Sequence, residues 1–534
     1  MKYLNDCAGK FKCPLKSAAG KTLATLLWGD PLHEVKRDGT RVQLRARGQL
    51  GWVDAAFVGA DDDPGLLELY IIDVGQGDGV LMRTPHDDAW HLIDAGVRGA
   101  AQMTKKGAAN FVRWKFVKDL RLPLVKLANV VVTHPDEDHF GGMLDVLSGT
   151  LADDPLGLRS FKVEVANFWH CGMGRFAASP KLGATRKDTS TTPLQHPPAA
   201  PSKAPKAAAT FITELLEGKT HFKSPARPFT GAPSGFAALA QAVGAVPGKV
   251  GRLQHSMGWL PGYAPDAGQS GQPGEPGQPG QPTRTTVRVL GPVVEKLAGG
   301  GVGLRTLGSE SETRNGHSVV LRVDHGAARI LLTGDLNSAS QALLLACHGA
   351  AEFEVDVAKG CHHGSDDIDL NFVRAMAARA TVVSSGDNED YAHPRPRVLG
   401  ASARYGRESV APPRPAGTGE VLPPLLYSTE LARSVALAYA RALRKRGAAG
   451  TPATPPTPPT PPGDDQDASA LEARFATSAK ATDYKRLAWL PMATDLVYGL
   501  VNVRTDGRRI LMAYMSEGSS DFDIRVFMAG QAPA

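Results

Sequence analysis

Runs of consecutive apolar residues recur along most of the chain and predict many β-strands. The stretches NVVVTH at 129–134, SVVLRV at 318–323 and ILLTGDL at 330–336 place Val, Ile and Leu side by side. Strands that are covered on both faces show this pattern. Helix-like patterns such as SASQALLLACHGA at 338–350 separate some of the runs. Together these features predict an α/β (α+β) domain with sheets between helices.

The first part of the chain, residues 1–62, has a different pattern of short β-like runs and Gly turns. Examples are ATLLWGDPLHEV at 24–35 and GQLGWVDAAFV at 48–58. The second stretch resembles a bacterial SH3-like (SH3b) barrel, which implies a small N-terminal SH3-like β-barrel that binds a protein or a cell-wall partner. The alternative interpretation is a small β-subdomain that packs against the next domain.

Composition and turn signals divide the rest of the chain. The main domain is expected at 66–410, with a variable insertion at 176–283 where the strand pattern weakens and Pro/Gly tracts of linker composition appear. Three further segments are expected: a basic helical extension at 411–450, a proline-rich linker at 451–468 and a C-terminal β-hairpin element at 469–534. The hairpin is expected to turn at Asp506-Gly507.

The bulk composition excludes several classes of protein. The 534 residues include five cysteines without a CxxC pair, which fits a reducing compartment better than a disulfide framework. The sequence has no secretory signal pattern and no run of about 18 apolar residues, so we expect a soluble, cytoplasmic protein without a membrane partner. The net charge of +6 permits contact with a polyanion without requiring it.

The stretch VVTHPDEDHFGG at 131–142 concentrates metal-binding side chains on one turn. Alternate residues of an extended segment face the same side, so His134, Asp136 and Asp138 can converge. The chain then turns, which brings His139, at the first helical position, back toward the same side. These atoms suit a pair of divalent cations. The alternative, a solvated acidic loop, would be an unusual place for two flanking histidines.

Further stretches, taken with this turn, resemble the metallo-β-lactamase superfamily. THPDEDHFGG is similar to its HxHxDH motif, in the variant form HxDxDH, and HLIDAG and ILLTGDL resemble two other motifs. DVGQGDG, SVVLRV, CHHGS and SSGDNEDYAHP complete the ordered series. The set resembles the soluble hydrolase domain of ComEC-type DNA-uptake (competence) proteins over roughly 66–400. This implies an αββα metallo-β-lactamase sandwich.

The resemblance also assigns roles to residues. It implies two divalent ions, Mn²⁺ or Zn²⁺ with Mg²⁺ as a third candidate, held by a set of six ligands: His134, Asp136, Asp138, His139, Asp335 and His363. Within this set Asp335 would bridge the ions. Asp94 would brace the metal loop by hydrogen bonding, and Asp73 and Asp78 have supporting roles. Asp138, His362 and His393 are the catalytic candidates, with Asp138 orienting the attacking water.

Four histidines leave alternatives open. His170 in NFWHCGMG is either the ligand of the third superfamily motif or an ordinary core or surface histidine. His362 and His363 are adjacent, so that one is expected to face the metals or the leaving group while the other supports it. His393 is a ligand, a phosphate-binding residue or an inert side chain.

The predicted activity is metal-dependent hydrolysis by an activated water. A phosphodiesterase or nuclease is favoured, with nucleic acid or another phosphodiester as its partner, because the relatives resemble nucleases and Asp136 hardens the site toward Mn²⁺ or Mg²⁺. The segment 393–447 is rich in Lys and Arg and could track a phosphate backbone. Two alternatives are a small-molecule hydrolase acting on a lactam, thioester or lactone, and a binding protein without catalysis.

Overall fold

The computed structural model describes most of the chain, with gaps. The described residues are 1–59, 65–75, 77–102, 104–188, 192–193, 209–231, 235–266, 283–386, 393–413, 419–429, 437–439, 491–493, 500–515 and 521–530. The predicted linker at 451–468 and most of the predicted extension at 411–450 lie outside these residues. Among the described residues no helix is long and apolar enough to cross a bilayer.

The secondary structure starts with strands alone and then mixes strands with helices. The N-terminal strands are β1 Lys2–Tyr3, β2 Lys12–Lys16, β3 Thr22–Leu27, β4 Pro31–Asp38, β5 Arg41–Ala46 and β6 Gln49–Asp54. The next elements are β7 Leu67–Ile71, β8 Gly79–Thr84, β9 Ala89–Ala95, α1 Ala108–Arg113, a π-helical segment Trp114–Asp119, β10 Leu124–Val132, α2 Glu137–Ser148 and β11 Lys162–His170.

The second half of the chain repeats this alternation and ends in strands. Its elements begin with β12 Thr185–Asp188, β13 Thr192–Pro193, β14 Ala209–Ile212, α3 Lys219–Lys223, α4 Phe236–Ala245, β15 Lys249–Arg252, β16 Thr285–Gly291, β17 Glu295–Lys296, β18 Val302–Arg305, α5 Glu310–Gly316, β19 Val320–His325 and β20 Ala328–Leu332. They continue with α6 Ser338–His348, β21 Val357–Lys359, α7 Leu370–Met376, β22 Ala380–Val383, α8 Pro396–Tyr405, β23 Ser409–Val410, β24 Val421–Leu422, β25 Leu425–Ser428, β26 Leu437–Tyr439, β27 Pro491–Ala493, β28 Val501–Thr505, β29 Arg509–Met515 and β30 Phe522–Met528.

Two large sheets form the main domain. The first has nine strands in the order β15-β11-β10-β9-β8-β7-β28-β29-β30, and the second has six in the order β16-β19-β20-β21-β22-β25. An apolar core between the sheets includes Val131 and Ile93 from the first sheet and Leu321 and Ile330 from the second. The predicted mixed α/β architecture with sheets at its centre is therefore confirmed.

Helices cover the outer faces of both sheets. On the first sheet, Val112 of α1 and Phe140 of α2 share a core with the strand residues Leu92 and Val130. On the second, side chains of α6, α7 and α8 share another core with Leu331 and Ala358. The layer order is helix, sheet, sheet, helix, because each sheet has one apolar face for the other sheet and one for helices.

The N-terminal strands β1–β6 form a separate antiparallel sheet. Its order is β1-β4-β5-β6-β2-β3, with its own core that includes Leu15, Leu26 and Val42. Alternating burial along β5, with Val42, Leu44 and Ala46 buried, follows the apolar/polar alternation of RVQLRA. A small β-module at 1–62 agrees with these strands, and its likeness to SH3b barrels stays a prediction.

Two segments differ from their sequence-based descriptions. The insertion at 176–283 contains ordered elements, and Phe222 and Phe236 from it pack in the core under α2. The hairpin β28–β29 forms beside Asp506-Gly507 as predicted, but β28 also pairs with β7, so that it extends the first sheet. These associations join segments that are distant in sequence, so local patterns could not reveal them.

The predicted basic helical extension at 411–450 is described only in part. Its described part forms the short strands β24, β25 and β26. Leu425–Ser428 pair in parallel with Ala380–Val383, so that the backbone hydrogen bonds of this segment go to the edge of the second sheet instead of to a helix. The arginines Arg441, Arg444 and Arg446 lie outside the described residues.

Candidate metal centre

The crowded turn lies where strand ends of the two sheets meet. The strand β10 ends at Val132, and the following extended residues lead to Asp136, which lies immediately before α2. Asp138 and His139 occupy the first turn of that helix. From the second sheet, Asp335 follows β20, and a 3₁₀ turn at Cys361–Gly364 follows β21. The site is thus built from loops at one edge of a rigid scaffold.

Four side chains converge there in a group that we call the ligand cluster: Asp138, His139, Asp335 and His363. The Nε2 atoms of His139 and His363 lie 3.3 Å apart. Asp335 Oδ2 lies 3.2 Å from the first and 3.0 Å from the second. Asp138 Oδ2 lies 3.4 Å from His363 Nε2 and 4.0 Å from His139 Nε2.

Four of these five distances fit the ligand atoms of one ion. Ligands about 2.1 Å from a common metal lie roughly 3.0–3.4 Å apart at octahedral or tetrahedral angles. Asp335 Oδ1 and the nearby His134 Nε2 are both buried, and neither has a hydrogen-bond partner among the described residues. Buried polar atoms are normally paired, so an arrangement that leaves lone pairs unused suits an ion. The residues present therefore fit a divalent metal.

Hydrogen bonds on the far side of His139 fix the orientation of its ring. Its Nδ1 lies 2.8 Å from Asp94 Oδ2, so that a proton on Nδ1 leaves Nε2 free to bind a metal. Asp94 also accepts hydrogen bonds from the backbone N–H and the hydroxyl of Thr133, at 2.8 and 2.6 Å. This is the arrangement that the bracing role predicted for Asp94 requires.

The ring of His363 is oriented in a similar way from the other sheet. Its Nδ1 lies 3.0 Å from the carbonyl oxygen of Ser384, which directs Nε2 toward the ligand cluster. His362 and His363 have φ values of 46° and 52°, a left-handed conformation that is uncommon outside glycine. Two consecutive residues held in this way indicate that the surrounding structure imposes their geometry.

Glycines of the predicted motifs allow close backbone contacts around the centre. A Cβ atom on Gly77, whose φ is +111°, would lie 1.8 Å from the carbonyl oxygen of Asp138. A Cβ on Gly142 would lie 2.0 Å from the carbonyl oxygen of Ala95, where α2 crosses the end of β9. The motifs DVGQGDG and HFGG therefore keep the metal turn tightly packed.

Electrostatics in the ligand cluster favour positive charge. Burial would lower the pKa of His139, but the carboxylates of Asp335 and Asp94 outweigh it and raise that pKa well above its usual value. Burial and Asp335 oppose each other at His363 in the same way, and the pKa is again raised well above its usual value. For His134, burial and the neighbouring His139 lower the pKa to about 4, so this ring is neutral. Protons and a divalent ion thus compete for the cluster.

The remaining predicted residues take different positions. Asp78 is buried and forms ion pairs with Lys359 and, at 3.4 Å, with His363 Nδ1. Asp73 accepts a hydrogen bond from the Gly75 N–H at 3.1 Å and does not belong to the ligand cluster. Asp78 thus has a supporting position, whereas Asp73 shapes the backbone of its own loop.

Two predicted ligands lie beside the cluster. His134 Nε2 lies 4.0 Å from Asp335 Oδ2 and 3.8 Å from Asp136 Oδ2. Asp136 itself forms ion pairs with Arg314 at 2.6 Å and Arg175 at 3.5 Å. The sequence placed Asp136 among the metal ligands, and the structure gives its carboxylate two arginine partners.

The catalytic candidates His362 and His393 lie on the solvent side of the cluster. His362 is 26% exposed, and its Nε2 lies 3.7 Å from Asp335 Oδ2. The ring of His393 lies 5.9 Å from the ring of His362 and 6.4 Å from that of His363, measured between centroids. Burial lowers the pKa of His393 to about 4, with a further contribution from the charge of His363.

His170 is separated from the ligand cluster by its surroundings. It is buried, its Nδ1 accepts a hydrogen bond from the Gly172 N–H at 3.1 Å, and its ring packs edge-on against Phe222. Burial lowers its pKa to about 3, so the ring is neutral. Its Nε2 atom is buried without a hydrogen-bond partner among the described residues, so the assignment of His170 as the ligand of the third superfamily motif stays a prediction.

Sequence reasoning missed three polar residues around the centre. Lys359 is buried, pairs with Asp78 and donates to the Gly334 carbonyl at 3.0 Å. Ser318 Oγ accepts a hydrogen bond from the Asp335 N–H at 2.9 Å. Arg314 holds Asp136. A lysine at the end of the apolar strand pattern FEVDVAKG was a usable signal for Lys359, because buried lysines need a partner. Nothing in the local sequence marks Arg314.

Comparison with known proteins agrees with this geometry. Residues 72–150 match the family model of the metallo-beta-lactamase superfamily, a segment that starts just after β7, runs through α2 and includes Asp94 and His139. The competence protein ComA from Neisseria gonorrhoeae is 34% identical over 93 residues, which are 17% of this chain and 13% of that protein. The chain thus spans only a small part of this relative.

A solved structure can also be superimposed on the chain. It is the metallo-beta-lactamase fold protein YhfI from Bacillus subtilis, with 9% sequence identity, a TM-score of 0.24 and coverage of 59% of this chain and 85% of the other. What the comparisons establish is therefore that residues 72–150 match the metallo-beta-lactamase superfamily model.

Proposed function

We propose that this chain is a metal-dependent phosphodiesterase, and that it acts as a nuclease when the phosphodiester belongs to a nucleic acid. The observation that supports this most directly is the ligand cluster, whose two imidazole nitrogens and two carboxylate oxygens have the separations that a single ion requires. The cluster is open on one side, because the Asp138 side chain is 25% exposed. A substrate can therefore reach it.

The chemistry follows from the position of each side chain. A divalent ion in the cluster would supply a hydroxide nucleophile near neutral pH and neutralise negative charge on the attacked group. Asp138 would orient the attacking water through its exposed carboxylate. His362, which faces solvent beside Asp335, would donate a proton to the departing oxygen. His393 would bind a phosphoryl oxygen or hold His362 in place.

A phosphodiester suits this site better than a lactam or thioester for two reasons. The ligands include two carboxylates, which suit hard ions such as Mn²⁺ and Mg²⁺, while Zn²⁺ remains a candidate. Two arginines, Arg175 and Arg314, lie beside the cluster and would attract a phosphate. The relative named for competence adds weight to a nucleic-acid substrate. Small-molecule hydrolysis is the second candidate function.

The proposal is tested with chromogenic substrates. The purified chain with Mn²⁺ is expected to cleave bis-p-nitrophenyl phosphate and to leave nitrocefin intact. Asp138→Asn and His139→Ala should abolish cleavage, because each removes a ligand atom. Glu137→Gln, one position away on the same helix and outside the ligand cluster, is the matched control and should keep the activity. Full activity in excess chelator would contradict the proposal.

Nucleic acid is the proposed partner in the cell, and the cytoplasm the proposed compartment. The five cysteines are all free, which agrees with a reducing environment. Replacing Arg441, Arg444 and Arg446 by Ala should weaken single-stranded DNA binding and flatten its salt dependence, because fewer counterions are released. Cleavage of the small diester should not change. An unaltered salt slope would leave only the small phosphodiester as substrate. The N-terminal sheet is proposed to bind a protein or cell-wall partner.

A further inference from the structure

Two aspartates of the crowded turn end in different electrostatic surroundings. Asp138 Oδ2 faces the imidazoles of His139 and His363. Asp136, two residues earlier, accepts hydrogen bonds from Arg314 through both oxygens, Nε to Oδ1 at 2.6 Å and Nη2 to Oδ2 at 3.3 Å. Such a two-point contact is the geometry in which guanidinium and carboxylate bind most strongly. Asp136 therefore already has a cation.

A second ion beside the ligand cluster would depend on Asp136. The other atoms available to it are His134 Nε2 and Asp335 Oδ2, which lie 4.0 Å apart. His134 Nε2 and Asp136 Oδ2 are separated by 3.8 Å. Both separations are longer than four of the five in the ligand cluster, where only Asp138 Oδ2 and His139 Nε2 lie as far apart as 4.0 Å. Among the described residues, these three do not form one of the groups whose ligand atoms lie close together.

One potential ligand lies beside His134: the Nε2 atom of His170 is buried without a hydrogen-bond partner among the described residues, but His170 belongs to neither group of described residues whose ligand atoms lie close together. A small cavity of about 10 Å³ separates His134 from His170, and its other lining residues are mostly apolar, among them Phe168, Phe222 and Leu239. The Nδ1 atom of His170 is used by a backbone N–H. A divalent ion bound by His134 and Asp136 would lie close to the positive charge of Arg314.

The charged groups around Asp335 also argue against a second ion. Its Oδ2 faces the ligand cluster, whereas Oδ1 faces Lys359 Nζ at 3.9 Å. Lys359 is buried and also pairs with Asp78. A carboxylate that bridges two ions uses both oxygens or shares one between them. In this chain the Lys359 ammonium group lies on the Oδ1 side of Asp335. Once one ion is bound on the Oδ2 side, the carboxylate therefore has a cation on each side.

We infer that the chain binds one divalent ion, in the ligand cluster, and that the Arg314 guanidinium supplies the fixed positive charge beside Asp136 where the superfamily pattern implies a second ion. The inference rests on the proposed function only in requiring a metal. It holds whichever substrate the enzyme cleaves. It also makes Asp136 a partner of Arg314 instead of a metal ligand.

Metal stoichiometry tests this inference directly. The full chain is saturated with Mn²⁺, passed over a desalting column and analysed for bound manganese by mass spectrometry, with electron paramagnetic resonance as a second readout. We expect one Mn²⁺ per chain and the six-line spectrum of an isolated ion. Two ions with a coupled spectrum would overturn the inference and leave the proposed function intact. The absence of any bound ion would overturn both.

Variants separate the roles of the two aspartates. Asp136→Asn should still bind one ion with unchanged affinity, whereas Asp138→Asn should lose more than about 100-fold, beyond the range for residues that only support a ligand. Arg314→Met should raise the number of bound ions above one, because it releases Asp136. Arg508→Met, an exposed arginine on the C-terminal hairpin, is the control and should not change the stoichiometry.

The aspartate variants keep the inference falsifiable if Arg314→Met does not fold, as judged by circular dichroism. A loss of Mn²⁺ affinity in Asp136→Asn equal to that in Asp138→Asn would show that Asp136 is a ligand. That outcome would overturn the inference even if wild-type stoichiometry were one.

Discussion

Two buried charge clusters of this chain have similar composition and differ in how their charges are neutralised. One lies where the N-terminal sheet meets the first sheet of the main domain, and we call it the junction cluster: Asp30, Arg47, Glu68 and Arg504. Asp30 accepts hydrogen bonds from Arg47 Nε at 2.6 Å, Arg504 Nη2 at 2.6 Å and the Leu27 N–H at 2.9 Å. Both carboxylate oxygens of Asp30 thus have donors.

The ligand cluster is incomplete by the same criterion. Its ligand atoms face one another, with the Nε2 atoms of His139 and His363 3.3 Å apart and Asp335 Oδ2 at 3.2 and 3.0 Å from them. In the junction cluster the guanidinium groups are fixed counterions, so nothing remains to be bound. The comparison shows that burial of charge does not by itself identify a functional site. Unused lone pairs that converge on one point do.

The largest effect on stability is expected from the junction cluster. Asp30→Asn leaves two buried guanidinium groups without their carboxylate, and such a loss typically costs about 3–5 kcal/mol. Thermal and urea unfolding would measure it. Asp38→Asn, at the exposed end of β4 in the same sheet, is the control and should have little effect. Mn²⁺ stoichiometry should be unchanged in both variants, and a change would mean that the two clusters are coupled.

A smaller effect, on metal binding alone, is expected from Asp94. Asp94→Asn keeps an oxygen for the Thr133 N–H but loses the charge that orients His139, so Mn²⁺ affinity should fall about 10–100-fold. Isothermal titration would measure it. Asp88→Asn, on the loop just before β9, should bind Mn²⁺ as the wild type does. Equal affinities in all three proteins would show that Asp94 has no role in the centre.

The smallest expected effect is a difference in acid sensitivity. Burial would raise the pKa of Asp30, but Arg47 and Arg504 outweigh it and hold that pKa below its usual value. Arg504 and Lys115 likewise lower the pKa of Glu68 against the effect of burial. A carboxylate with a depressed folded-state pKa stabilises the fold above its unfolded pKa, about 4, and this contribution is lost as the pH falls through the folded value.

The stability gap between wild type and Asp30→Asn should therefore be constant from pH 7 to about pH 5 and should shrink below about pH 4. Urea midpoints at closely spaced pH values would show it. A gap that stays constant down to pH 3 would mean that folding does not lower the pKa of Asp30.

The sequence determined the class of the domain and most of its centre. The resemblance of its motifs to those of the metallo-β-lactamase superfamily implied that His139, Asp335 and His363 share one site, and the motifs follow apolar strand patterns whose ends can meet at a common edge. The motif glycines Gly77 and Gly142 agree with this, since each permits a backbone contact that a Cβ would prevent. These features are local, so the sequence contains them.

Only the tertiary structure decided which residues complete or limit that site. Arg314 lies 178 positions from Asp136 and reaches it because α5 packs beside the metal turn. The strand β28 joins β7 across more than 400 residues and brings Arg504 to Asp30. Long-range pairing of this kind depends on the packing of whole elements, and no local pattern of hydrophobic and polar residues specifies it. Whether a buried aspartate acts as a metal ligand or as an ion-pair partner is determined by the neighbour that the fold places beside it.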